Sequence, residues 1–290
     1  MLSRRTLLLG SVMALPALRP VAACGAGTDE PLDKALAALE ARSGGRLGAA
    51  ILDGATGKLV GHRGDESFAL CSTFKFLAAA FVLHRVDRGE ESLSRQIAYD
   101  KGALVTYSPV TEKHAGEGMT VGALCEATMI LSDNTAGNLL LDSFGGPAGL
   151  TAFVRSLGDR VTRLDRREPE LNVVPPGELR DTTTPSAMLG LMHKLLLGEA
   201  LSTGSRDQLI AWLIGNKTGD KRLRAGVPQG WRVGDKTGTG PAGEANDIGI
   251  IWPTGRAPLL VAGYYKSEQA NPEARNAVLA EVGRLAASAV

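Results

Sequence analysis

Strand patterns occur at both ends of this chain, and helical patterns fill the long segment between them. Near the N-terminus, two strand patterns flank a turn of sequence Asp-Gly-Ala-Thr-Gly and predict a β-hairpin. The predicted strands are residues 46–53, 58–62, 231–236, 248–252 and 258–265. We therefore predict an α/β (α+β) fold, in which one antiparallel sheet is assembled from both chain ends, is flanked by helices and carries an inserted all-α domain.

The helical patterns have apolar residues at helical spacing, and several begin at a Ser or Thr that can cap a helix. The predicted helices are residues 31–42, 72–86, 120–131, 135–143, 185–197, 205–214 and 272–287. Residues 160–184 have no periodicity and contain three prolines. This segment is predicted to be a long surface loop, a kind of segment that is often functional.

These patterns divide the chain into two parts, and 290 residues suffice for two closely packed domains. Residues 28–63 and 215–290 are assigned to an α/β sheet domain. Residues 64–214, including the 160–184 loop, are assigned to an all-α domain. Ligand sites favour such domain interfaces, so we expect the functional site where the two parts meet.

The composition is that of a soluble globular protein, with 44% hydrophobic and 22% charged residues. A net charge of +1 gives no reason to expect a nucleic acid or an anionic membrane as partner. The four histidines are isolated and lack the spacing of zinc ligands, which excludes a metallo-hydrolase.

The first 24 residues are predicted to be an export signal. Arg4 and Arg5 precede an apolar stretch at 6–18, and small residues follow at 21–23, which is the layout of a cleaved secretory peptide. The paired arginines are also typical of a twin-arginine signal, so the sequence leaves open which export route is used. In either case we expect the protein to be periplasmic.

Three short segments carry the chemistry: Ser72-Thr73-Phe74-Lys75, Ser132-Asp133-Asn134 and Lys236-Thr237-Gly238. Residues three apart are neighbours on a helix surface, so Lys75 can help to deprotonate Ser72 and make it a nucleophile. The other two segments add a hydroxyl, an amide and a cation for an anionic acyl substrate. A second Lys-Thr-Gly copy at 217–219 follows an apparent helix end and is assigned to a loop.

A fourth segment, Arg-Arg-Glu-Pro-Glu-Leu-Asn at 166–172, completes a set that resembles the serine β-lactamases of class A and their penicillin-binding relatives. The resemblance extends from about Arg46 to the C-terminus. It implies that a β-lactamase/transpeptidase-like fold hydrolyses the β-lactam ring of penicillins and cephalosporins through a serine acyl-enzyme, conferring β-lactam resistance. It implies no metal or organic cofactor, and a monomer.

The resemblance also implies a role for each matched residue. Ser72 attacks the carbonyl, and Lys75 and Glu168 share the proton transfers, with the acylation base left open between them. Ser132 relays a proton to the leaving nitrogen and is steered by Lys236. The backbone N–H groups of Ser72 and Thr239 form the oxyanion hole.

Substrate binding is likewise implied by the resemblance, which also gives Arg166 and Asp181 as an ion pair that pins the 160–184 loop. Glu168 and Asn172 hold the hydrolytic water, and Glu170 is the rival carboxylate for that role. Asn134 binds the substrate side-chain amide, and Tyr107 lies at the cleft rim. The substrate carboxylate is expected at Lys236, Thr237, Thr239 and Arg222, and Gly238 is a further expected substrate-binding residue.

The cysteines are expected to have no catalytic role. Val-Ala-Ala-Cys at 21–24 resembles a bacterial lipobox, so Cys24 is either lipidated or removed by ordinary signal cleavage, and a membrane is a partner only if it is lipidated. The family's usual disulfide partner of Cys125 is replaced by Ala79 here. We therefore expect Cys71 and Cys125 to be free, buried thiols.

Two other functions share part of this motif set. A cell-wall transpeptidase or carboxypeptidase has the Ser-Lys, Ser-x-Asn and Lys-Thr-Gly groups but is expected to lack a counterpart of Glu168. A β-lactam sensor is acylated and stays acylated, and usually lies behind transmembrane segments. Turnover of a β-lactam by the purified protein separates the hydrolase from both.

Overall fold

Strands from the two ends of the chain pair in one five-stranded antiparallel sheet. The structure, a computed structural model, describes residues 31–290. The strands of this sheet are β1 (Arg46–Asp53), β2 (Leu59–His62), β7 (Arg232–Thr239), β8 (Glu244–Trp252) and β9 (Leu259–Lys266). They lie side by side in the order β2-β1-β9-β8-β7. The predicted sheet is confirmed, whereas the export signal at 1–24 and Cys24 lie outside the described residues.

Two of the three C-terminal strands are longer than predicted. Strand β7 continues to Thr239, and β8 begins at Glu244 rather than at residue 248. Every residue of β8 from Glu244 to Ile251 is buried, although Glu244, Asn246 and Asp247 are polar. Their polarity hid the start of the strand from a pattern based on apolar residues.

The sheet lies between two helical layers. On one face, Leu36 of α1 (Leu32–Ser43) and Leu279 of α9 (Pro272–Ser288) pack with sheet residues in one buried cluster. On the other face, sheet residues such as Ile248 and Tyr264 join the larger cluster formed by the middle of the chain. One continuous core therefore connects the sheet to the inserted helices.

The inserted segment has six longer helices, most of them with side-chain N-caps such as Asp133 and Thr184. These helices are α2 (Phe74–Asp87), α3 (Val121–Ile130), α4 (Asn134–Ser143), α5 (Gly146–Ser156), α6 (Pro185–Leu196) and α7 (Thr203–Gly215). Helix α5 was not predicted. It begins at Gly145-Gly146-Pro147, a run of helix-breaking residues in which both glycines have positive φ.

The inserted segment is not purely helical, which differs from the predicted all-α domain. It contains two pairs of two-residue strands, β3 (Phe68–Ala69) with β6 (Thr182–Thr183) and β4 (Gln96–Ile97) with β5 (Met119–Thr120). Helix α6 also packs against β1 and β9 of the large sheet. A short helix, α8 (Leu223–Gly226), lies between α7 and β7.

Cys71 and Cys125 are free and buried, as predicted. Burial raises the pKa of both thiols, so neither is a ready nucleophile. Among residues 31–290, no helix is long and apolar enough to cross a bilayer.

Candidate active site

A cavity of about 360 Å³ lies between the inserted helices and the edge strand β7. Every residue predicted to bind substrate, apart from Lys236, contributes to its wall. The lining residues are Ser72, Tyr107, Ser132, Asn134, Glu168, Asn172, Thr218, Arg222, Thr237, Gly238 and Thr239. Lys75 and Lys236 are fully buried behind this wall. The structure therefore brings together segments that are up to 167 positions apart in the chain.

Ser72 lies in a 3-10 turn, Cys71–Thr73, that leads directly into α2. The preceding Cys71 has a φ of 44°, in the left-handed region that is unusual for a residue with a side chain. Asn246 of β8 fastens this turn to the sheet, because its amide donates to the carbonyls of Ala69 and Leu70. The turn is thereby held against the end of β7, which carries Thr239.

The ammonium of Lys75 is enclosed by acceptors. Its Nζ lies 3.1 Å from Glu168 Oε1, donates to Asn134 Oδ1 at 2.6 Å, and donates to the carbonyl and hydroxyl of Ser132 at 2.7 and 3.3 Å. Burial lowers the pKa of Lys75, which favours the neutral amine needed to accept a proton. Within residues 31–290, Lys75 makes no hydrogen bond to Ser72, whose hydroxyl donates instead to Glu168 Oε1 at 3.2 Å.

Glu168 is buried, and its carboxylate is fixed from several sides. Asn172 Nδ2 donates to Glu168 Oε2 at 2.5 Å. Asn138 on α4 was not predicted from the sequence, yet its amide bonds both backbone groups of Glu168, at 3.0 and 2.9 Å. The rival carboxylate Glu170 is exposed to solvent.

The loop that carries Glu168 is closed at its base by the expected pair. Arg166 Nε lies 2.6 Å from Asp181 Oδ2. The other oxygen of Asp181 accepts from the backbone N–H groups of Asp165 and Arg166. Arg166 also donates to the Val173 carbonyl, so a single arginine spans the loop.

Ser132 connects the two lysines. Its hydroxyl accepts from Lys236 Nζ at 3.1 Å. Ser132 has a φ of 59°, in the left-handed region that is unusual for a residue with a side chain, and it lines the cavity. Asp133 holds this conformation, because it caps α4 and accepts from the backbone of Val110 and Thr111. Burial, followed by the charge of Lys75, lowers the pKa of Lys236 to about 7.

The sequence and the structure are similar to those of known proteins along most of their length. A model of the family described as "Beta-lactamase enzyme family" matches residues 31–290. The chain belongs to this family. It is 46% identical to the "Beta-lactamase" of Citrobacter koseri over 97% of this chain and 96% of that protein. It is 47% identical to "Beta-lactamase L2" of Stenotrophomonas maltophilia over 99% and 98%.

Solved structures of class A members have the same fold. One is titled "Ancestral (GNCA) Beta-lactamase class A", with 63% identity, a TM-score of 0.88, and coverage of 90% of this chain and 100% of that chain. Another is the putative class A β-lactamase PenP from Rhodopseudomonas palustris, with 58% identity, a TM-score of 0.88, and coverage of 89% and 99%. The class A assignment and the fold predicted from the motifs are confirmed.

In this β-lactamase, the buried side chain of Arg222 lines the cavity and also holds neighbouring segments together by hydrogen bonds. Its guanidinium donates to the Gly238 and Asn246 carbonyls, to Thr239 Oγ1 at 2.7 Å and to Asn276 Oδ1 at 2.9 Å. A guanidinium has five N–H groups, so four of them are occupied. One N–H therefore remains for a substrate carboxylate.

A buried acidic pair lies behind β7 and β8. Asp235 forms an ion pair with Arg224 and accepts from Asn216, while Asp247 accepts from the Leu223 backbone. Burial raises the pKa of both carboxyl groups. Neither aspartate was predicted to belong to the site. Neither lines the cavity, and each contacts residues that lie behind its wall.

Two wall residues complete the cavity. Tyr107 is 55% exposed at the rim, and its carbonyl accepts from the Asn134 backbone N–H. Thr218 comes from the Lys-Thr-Gly copy assigned to a loop. The loop assignment agrees with the structure, yet the Thr218 side chain lines the cavity beside Thr237, which the motif comparison missed.

Proposed function

We propose that this class A enzyme hydrolyses the β-lactam ring of penicillins and cephalosporins through an acyl-enzyme on Ser72, and thereby confers resistance. The observation that carries the proposal is the position of Glu168. Its carboxylate contacts the Ser72 hydroxyl, pairs with Lys75 and is fixed by Asn172. A transpeptidase or a sensor has no need of such a carboxylate beside its nucleophile.

Acylation uses the groups around Ser72. The Ser72 oxygen attacks the lactam carbonyl carbon while its proton passes to Lys75 or Glu168, both within the same hydrogen-bonded cluster. The carbon–nitrogen bond then breaks, and Ser132 gives its proton to the departing nitrogen. The proton taken from Ser72 returns to Ser132 through Lys75, whose Nζ lies 3.1 Å from Glu168 Oε1 and 3.3 Å from the Ser132 hydroxyl, so that one proton in all moves from Ser72 to the nitrogen. Lys236, at 3.1 Å, steers the Ser132 hydroxyl.

Deacylation is the step that distinguishes a hydrolase. Glu168 takes a proton from a water that attacks the ester, the bond from the carbonyl carbon to Ser72 breaks, and Glu168 returns that proton to the Ser72 oxygen, 3.2 Å from its Oε1. Asn172 suits the placement of this water, because its Oδ1 is a buried acceptor that has no partner within residues 31–290. General-base catalysis of this kind contributes about 10²–10⁴-fold in rate.

The direct test is turnover of nitrocefin by purified protein. We expect many equivalents to be hydrolysed, and none by Ser72→Ala, whose fold should be intact because the change removes only one hydroxyl. A parent enzyme that consumes a single equivalent and then stops would instead be a sensor or a transpeptidase.

We also propose that the enzyme is exported to the periplasm as a monomer. The signal-like residues 1–24 support export, and lipidation of Cys24 is the one route by which a membrane becomes a partner. Fractionation of expressing cells tests export, and size-exclusion chromatography tests the monomer. Labelled palmitate that enters the parent but not Cys24→Ala would demonstrate the lipid anchor.

A further inference from the structure

Thr218 belongs to a chain of hydrogen bonds that begins at a buried carboxylate and ends in the cavity. Asn216 Nδ2 donates to Asp235 Oδ2 at 2.8 Å. Asn216 Oδ1 accepts from the Thr218 backbone N–H at 3.0 Å and from the Thr218 hydroxyl at 2.8 Å. The Thr218 hydroxyl oxygen in turn lies 2.5 Å from that of Thr237.

The orientation of the Asn216 amide is fixed independently at both ends. A carboxylate oxygen needs a donor, which places Nδ2 towards Asp235. A backbone N–H needs an acceptor, which places Oδ1 towards Thr218. Asn216 is itself buried, so water does not offer its amide an alternative partner.

This orientation determines where the hydroxyl protons point. A hydroxyl has one proton, and that of Thr218 is directed to Asn216 Oδ1. The contact between the two threonine oxygens therefore takes its proton from Thr237. As a result, Thr237 offers only lone pairs to the cavity, although it was expected to bind the substrate carboxylate.

The hydroxyl of Thr239, two residues further along β7, is oriented the other way and can donate into the cavity. Its oxygen accepts from Arg222 Nη2 at 2.7 Å, so its own proton is free to point into the cavity. The two hydroxyls of this wall are thus a donor at Thr239 and an acceptor at Thr237.

We propose that Thr218 is a positioning residue that sets the direction of the Thr237 hydroxyl and thereby weakens binding of the substrate carboxylate. The proposal rests on the function proposed above. For Thr237 to donate to a carboxylate, Thr218 must rotate its proton from Asn216 to Thr237. Asn216 Oδ1 then keeps only the Thr218 backbone N–H. Substrate binding therefore costs one neutral hydrogen bond, the one from the Thr218 hydroxyl to Asn216 Oδ1. We call the chain of hydrogen bonds from Asp235 through Asn216 and Thr218 to Thr237 the relay.

The test is Thr218→Val, which has nearly the same shape and no hydroxyl. Thr237 is then free to donate without reversing the relay, so kcat/KM for benzylpenicillin should rise about fivefold, the value of one neutral hydrogen bond of about 1 kcal/mol. The gain should be in KM rather than kcat. Inhibition by phenylboronic acid, which bonds to the serine and has no carboxylate, should be unchanged, and Thr218→Ser should restore the parent KM.

An unchanged or higher KM in Thr218→Val would overturn the relay. If that variant does not fold, Thr218→Ala makes the same test with the same expectation. Parent enzyme that fails to turn over nitrocefin would defeat the proposed function itself. Parent enzyme that turns it over, with no gain in either variant, would defeat the relay alone.

Discussion

The side-chain amide of Asn138 binds both backbone groups of Glu168, accepting from its N–H at 3.0 Å and donating to its carbonyl at 2.9 Å. The contact joins helix α4, which begins with the Ser-Asp-Asn segment, to the loop that carries the deacylating carboxylate. Two of the matched motifs are thus fixed to each other by a residue that belongs to neither.

Asn138→Ala should therefore slow deacylation more than acylation. Loss of both bonds lets Glu168 move, and a misplacement of about 1 Å can cost about 10²-fold in rate. Stopped-flow measurement with nitrocefin should show a burst of one equivalent followed by slow turnover. A proportional loss of the burst rate and of kcat would contradict this role.

Lys236 should make substrate capture depend on pH. Its pKa is lowered to about 7, so the charge that attracts an anionic penicillin is lost as the pH rises through 7, and KM should rise over that range. The unfolded chain keeps this proton up to about pH 10.4, so the same group makes folding stability rise with pH between these values.

Lys236→Arg tests the assignment, because a guanidinium stays protonated over this range. The alkaline increase in KM should disappear, even if overall activity falls. The matched control is Lys266→Arg, a lysine paired with Glu244 outside the cavity, which should keep the parent profile. If KM of Lys236→Arg still rose with pH as it does in the parent, the titrating group would be a residue other than Lys236.

Arg222→Ala should raise KM for penicillins and lower the melting temperature together. The change removes the one free N–H and leaves two carbonyls of the β7–β8 edge without their donor. A hydrogen bond to a charged group contributes about 1.5–3 kcal/mol, so kcat/KM should fall about 10- to 150-fold.

Arg256→Ala is the charge-matched control for Arg222, because Arg256 is exposed in the turn between β8 and β9. It should change neither quantity. Arg224 is unsuitable as a control, since its removal leaves the buried Asp235 without its ion pair. Equal effects of Arg222→Ala and Arg256→Ala would mean that another cation binds the carboxylate.

Local patterns predicted the elements that depend on local sequence. The hairpin at 46–62 and helix α9 have clear apolar spacing, and their observed bounds agree within about two residues. Helix α5 was missed because Gly145-Gly146-Pro147 breaks the pattern at its start. The first half of β8 was missed because its buried residues are polar, and their partners come from other parts of the chain.

Site residues that belong to a sequence motif were predicted. Site residues that come together only when the chain folds were missed. Ser72, Lys75 and Glu168 stand in recognisable segments, and the structure places them together. Asn138 and Thr218 have ordinary sequence surroundings, and their partners Glu168 and Thr237 lie 30 and 19 positions away. No local signal distinguishes such residues before the chain is folded.

The central claim is that Glu168 releases an acyl group from Ser72. The most direct measurement is the intact mass of Glu168→Ala over time after mixing with benzylpenicillin, with Glu170→Ala as the matched, exposed control. Glu168→Ala should hold one penicilloyl group, mapped to the Ser72 peptide, and deacylate about 10²–10⁴-fold more slowly than the parent. Glu170→Ala should clear the adduct as fast as the parent does. An adduct trapped by Glu170→Ala but not by Glu168→Ala, or held for hours by the parent itself, would contradict the account.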